Sequence, residues 1–220
     1  MTYQVQILKG LFQPRTNRYQ LEQAEGITGF GTKLLLVYLC SFVIFLLEAY
    51  YGIGSESMSK EITKLGESEY EAGKLLVIAG KLLAGLLYPT FYVVLAAVVF
   101  WVILDIPFKK VAVVQMIAFA LHLLEKVVYI PFLLQMDLNQ SDNPFSLGVI
   151  SQSILSNEYF IHFFGEISLF QITIIGIIYY YLRELTEKNK YIPLIMICVF
   201  YLASWFVAAF LAYIDVRVFL

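Results

Sequence analysis

The chain has 220 residues, of which 60% are hydrophobic and 15% charged; ordinary soluble domains carry about 25% charged residues. Fifteen Lys and Arg against seventeen Asp and Glu give a formal charge of −2, which is no basic footprint for nucleic acid. A water-soluble enzyme is thereby excluded as the default, and the length accommodates five membrane crossings of about 20 residues each.

Residues 1–31 are polar and amphipathic. Val5, Ile7, Leu8, Leu11 and Phe12 supply apolar positions beside Lys9, Arg15 and Arg18, and positions 4, 8, 11 and 12 roughly share one helical face. The pattern predicts an amphipathic cytoplasmic or interfacial helix, with Phe12, Arg15 and Arg18 as interfacial anchors facing lipid headgroups. The alternative is a short segment that packs on the bundle. Pro14 ends or breaks the element. With no continuous apolar core in this stretch, no separate signal peptide is expected.

Residues 32–214 read as an all-α transmembrane domain of five helices, followed by a short outer tail at 215–220. The spans fall at about 33–51, 75–104, 111–134, 160–182 and 191–213. Tyr50 and Tyr51 close the first span as belt residues. Pro89 predicts a kink in the second, and Pro131 lies near the end of the third. The turn at Asp105–Lys110 is short enough to make spans two and three antiparallel neighbours. A short surface helix is expected within 55–65, and a half-buried surface helix within SLGVISQSIL. Cys40 and Cys198 sit inside apolar runs and are expected to be reduced and buried. Gly80 and Ala84, with Gly85, put small side chains on the second span where a neighbouring helix can approach.

Basic residues set the orientation. With the amino terminus cytoplasmic, nine Lys and Arg lie inside and five outside, and the loop at 135–158 has none. The bias predicts a multi-pass cell-membrane protein with its carboxyl terminus extracytoplasmic.

Ionisable residues inside apolar spans are costly and face protein or a water-filled cavity. The candidate intramembrane cluster is Lys81, His122, Glu125, Lys126, His162 and Glu166. A rise of 1.5 Å per residue puts Lys81, Glu125 and Glu166 about 9–13 Å below the outer ends of their spans, where they can meet at one level. Glu48 is shallower and expected to reach water. Glu125 projects about 100° from Lys126, so the two cannot address one partner. Three readings stay open: ion pairs that hold the bundle together, an outward-facing polar cavity, and a metal site from His122, Glu125, His162 and Glu166. No HExxH, GxSxG, Walker or dinucleotide motif is present, so neither a cofactor nor a catalytic residue is expected, and the chain reads as a non-enzyme.

Several stretches together resemble the Yip family of integral membrane proteins, and its bacterial branch in particular. They are the amino-terminal KGLFQPRTNRY with Pro14, the YP pair at Tyr88–Pro89, FKKVAVVQMIAFAL leading to Ile130–Pro131, and the RELTEKNK connector before the last span. Eukaryotic members interact with Rab-type small GTPases; for the bacterial branch the resemblance implies association with membrane transport machinery, including ATP-driven exporters. The resulting expectation is a non-enzymatic accessory or scaffold protein of an export complex, or one serving envelope-stress or toxin protection. Its partners would be membrane lipids, an exporter or other membrane protein, and a second copy of itself, without nucleic acid. The competing readings are a channel or small-substrate transporter and an intramembrane enzyme acting on lipid.

Overall fold

The computed structural model describes residues 1–53, 67–136 and 143–213. The surface helix expected within 55–65 and the tail at 215–220 lie outside the described residues. Among the described residues, four helices are long and apolar enough to cross a membrane, at Phe30–Tyr50, Glu71–Leu104, Phe108–Gln135 and Tyr191–Tyr213.

The amino-terminal segment is more folded than an interfacial helix. Strand β1 (Thr2–Gln4) pairs in parallel with β2 (Gly26–Thr28), with Tyr3 opposite Ile27. Between them lie helices α1 (Ile7–Phe12) and α2 (Pro14–Glu22). Pro14 takes the first helical position of α2, where its missing N–H costs nothing. Tyr3, Val5, Ile7 and Leu21 are buried in the main core. The Tyr3 hydroxyl donates to Asn17 Oδ1 at 2.9 Å, and the Tyr181 hydroxyl donates to the Gly10 carbonyl at 2.9 Å. Gly10 is required here because a Cβ would stand 2.5 Å from Ile117 Cδ1. The expected anchors therefore divide. Phe12 and Arg15 are exposed, whereas Arg18 leaves the lipid surface, pairing with Glu184 at 3.5 Å and lying 4.6 Å over the Tyr180 ring. Burial of one face against the bundle outweighs its partition into headgroups.

Helix α3 (Phe30–Tyr50) packs along α4 (Glu67–Pro89) more extensively than any other pair. The predicted kink takes a specific form. Helix α4 passes through Pro89 into a π-helical turn at Thr90–Leu95 and resumes as α5 (Ala96–Leu104). Pro89 has no N–H for the Gly85 carbonyl four residues back, and the Ser41 hydroxyl of α3 donates to that oxygen at 2.8 Å. A side chain from the neighbouring helix thus satisfies the group that proline orphans. Close approach is needed for this contact: a Cβ on Gly85 would lie 3.2 Å from the Phe42 Cα. Gly80, expected to serve the same packing, has nothing within 4 Å of its Cβ position. Ala84 is half-buried.

Asp105 adopts a left-handed conformation at φ 55° and ends α5. Helix α6 (Phe108–Met136) follows as the central helix, with Val111–Phe119 buried throughout and Pro131 exposed near its end. The surface helix expected in SLGVISQSIL is α7 (Gly148–Ile154). The predicted span at 160–182 is not one helix. It divides into α8 (Glu158–Gly165) and α9 (Leu169–Leu185), broken at Glu166–Ser168. Ser168 is the N-cap of α9 and its hydroxyl accepts from the Gln171 N–H at 3.1 Å. Phe145 and Leu147 supply backbone partners for Leu169 and Ile167 at the break. The remaining helix, α10 (Tyr191–Tyr213), coincides with the predicted fifth span. Cys40 and Cys198 are both free, but they are exposed on the apolar exterior rather than buried. The same runs bury other residues in the core, Val37 and Ile44 in one and Ile197 and Tyr201 in the other, so each run has an inward and an outward face.

Candidate functional site

Glu48, one turn before the end of α3, is only 5% exposed. Its carboxylate is the centre of an ion-paired group. Lys126 Nζ of α6 donates to Glu48 Oε1 at 2.8 Å, and Lys81 Nζ of α4 stands 3.5 Å from Oε2. Lys126 also sits 4.4 Å above the Phe45 ring and 5.5 Å from that of Tyr88. An ammonium over aromatic faces gains from their negative quadrupole, an attraction that desolvation strengthens. Three helices are thus tied through one carboxylate.

The neighbouring residue on α6 points elsewhere. Glu125 accepts a hydrogen bond from the Ser168 hydroxyl, which belongs to the break between α8 and α9. The 100° step between Glu125 and Lys126 sends them to different partners, as the helical geometry requires. One turn back toward the amino terminus, His122 is 2% exposed. Gln171 Nε2 lies 3.3 Å from His122 Nδ1, a geometry in which the amide donates to the ring. His122 Nε2 and Gln171 Oε1 have no hydrogen-bond partner. The rings of Tyr92 at 4.7 Å and Tyr201 at 6.5 Å flank the imidazole.

These groups line a polar cavity of about 140 Å³. Its wall includes Glu48, His122, Glu125, Lys126, Glu166 and Gln171, and it reaches Ile53 and Asn143 at the loop end of the bundle. With all groups ionised, Lys81 and Lys126 contribute +2, and Glu48, Glu125 and Glu166 contribute −3, leaving −1. Val93, Ala96, Ala97, Phe100, Ile174 and Ile178 are buried in the apolar core and are not among the residues lining the cavity. Gln115, on α6, is 2% exposed and its Nε2 is unpaired.

Of the six residues expected to cluster, His122, Glu125, Lys126 and Glu166 line the cavity, and Lys81 joins through Glu48. His162 is absent from the lining, although the Glu166 N–H still donates to its carbonyl at 3.2 Å in the last turn of α8. The four-residue metal set is not assembled, and no group of three or more potential ligands forms a metal site among the described residues. Sequence reasoning placed Glu48 too near water. The chain folds back beyond it, Ile53 N–H donating to the Glu48 carbonyl at 3.0 Å. Ser168 and Gln171 were missed as well, although S-x-x-Q is the capping signature of a helix start.

Fold and site together define a helical protein with, among the described residues, four helices suited to crossing a membrane and a charged cavity lined by three of them and by the segment around Glu166–Gln171. No protein-family model matches the chain, and comparison with curated proteins and with solved structures gives no match.

Proposed function

We propose that the protein is a five-crossing, non-enzymatic accessory protein of a membrane transport complex, Yip-like in organisation, with a cytoplasmic amino terminus. The fifth crossing is α9 with α8. Alone, α9 spans about 26 Å, slightly less than a hydrocarbon core, and α8 supplies the remaining length. The observation that carries this reading is a charged cavity with ions already paired, Glu48 with Lys126 and Lys81. A permanent pore needs a continuous polar path; a bundle locked by its own ion pairs suits a protein that supports a partner. Exporter components should co-purify with the chain from gently solubilised membranes, and its isolation alone under those conditions would overturn the proposal.

One observation favours a second reading, a gated transporter of a small cation. With Lys81 counted, the vestibule carries a formal −1. Reconstituted vesicles would then show cation flux that Glu125→Gln abolishes. Absence of flux across a panel of monovalent ions would leave the accessory reading in place.

A further inference from the structure

We propose that the groove between α1, α3 and α6 holds one anionic phospholipid, drawn from the leaflet on the amino-terminal side. The groove is separate from the charged vestibule and has a volume of about 640 Å³. Its chemistry is divided along its length. Lys9 and Lys33, with Gln4 and Gln6, form one end. Beyond them the walls are aliphatic, with Val37 and Ile44 on α3 and Leu123 and Val127 on α6.

Two observations choose the occupant. The first is charge: neither Lys9 nor Lys33 has an acidic partner among the described residues, whereas several other lysines are engaged. Lys188 pairs with Asp105, Lys110 donates to the Glu22 carbonyl, and Lys81 and Lys126 hold Glu48. Two unpaired ammonium groups converging at a membrane surface suit a phosphodiester, and basic pockets beside membrane helices bind anionic headgroups. The second is length. From Lys33 to Ile44 the groove follows α3 for about 16 Å. That is half of a hydrocarbon core of about 30 Å, the depth of one leaflet. A phosphate between the lysines therefore places an acyl chain along the aliphatic walls without reaching the far leaflet. A helix from another protein would match the apolar walls but would leave both lysines without a counter-charge. The inference needs only that the bundle crosses a bilayer; it does not depend on the accessory role or on which face is cytoplasmic.

The test is native mass spectrometry of the full-length chain, solubilised in mild detergent and offered phosphatidylglycerol or phosphatidylcholine of equal chain length. One phosphatidylglycerol should remain bound per chain, in preference to phosphatidylcholine. The double variant Lys9→Gln with Lys33→Gln should lose that preference by about thirtyfold, the effect expected of two lysines at a membrane surface. Ala120→Trp, which fills the groove, should reduce retention of both lipids. Equal retention of the two lipids by the native chain, an unchanged preference in the double variant, or a dimer mass in place of a lipid adduct would overturn the proposal. Should the double variant fail to elute as a single species, the native chain decides. A photoactivatable phosphatidylglycerol must then label residues within 33–44 or 120–127, and labelling spread evenly over the bundle exterior would refute the site.

Discussion

Glu48→Gln removes the one carboxylate that two lysines share. It leaves Lys81 and Lys126, with side chains 16% and 20% exposed, facing a neutral amide in a low-dielectric interior. Breaking a buried ion pair from one side costs about 3–5 kcal/mol, and the lower figure applies here because both ammonium groups retain some access to the cavity. At about 2–4 °C per kcal/mol for a chain of this size, melting should fall by roughly 6–12 °C. Lys126→Met should cost less, since Lys81 still faces the carboxylate. Lys81→Met should cost less than Glu48→Gln, because its contact with the carboxylate is 3.5 Å rather than the 2.8 Å of Lys126. The double variant Glu48→Gln with Lys126→Met should fall short of the summed single effects by about 1 kcal/mol or more, as expected for residues in contact. The assay is thermal unfolding in detergent, followed by tryptophan fluorescence and by loss of the monodisperse elution peak. Strict additivity of the two changes, or Lys81→Met matching Glu48→Gln, would refute the claim that Glu48 is the shared anchor.

Other changes test the remaining links. Gly85→Leu should destabilise the chain by at least about 2 kcal/mol through overpacking against Phe42, while Gly80→Leu, which meets open space, should shift melting little; equal effects in the same thermal assay would contradict the packing described. Tyr181→Phe should cost about 1 kcal/mol and speed amide exchange across residues 1–28, because it deletes the hydroxyl that ties α1 to α9. Unchanged exchange in that segment would show the bond to be dispensable. Ser41→Ala should loosen the π-helical turn by leaving the Gly85 carbonyl unsatisfied at a cost of about 1–3 kcal/mol; exchange at Thr90–Leu95 reads it, and no increase there would count against the account of Pro89.

The length and apolar character of its runs lead to the expectation of helices able to cross a membrane, and four such helices are present among the described residues. Long runs such as 33–51 and 191–213 can satisfy their backbone in lipid only as helices, so they emerge close to where periodicity and hydropathy place them. The separation of Glu125 from Lys126 was likewise fixed by the helical repeat. Local polar signals decided against the broader pattern at 160–182, where an apolar average hides a capping serine at Ser168 and the break that turns Glu166 into the cavity wall. Other features depend on contacts remote in sequence. Glu48 is buried because Lys126, 78 positions away, meets it across two helices, and the amino-terminal segment folds because Tyr181, 171 positions from Gly10, anchors it. Such partnerships are set by which helix faces pack together, and hydropathy, which scores each segment separately, carries no information about that choice.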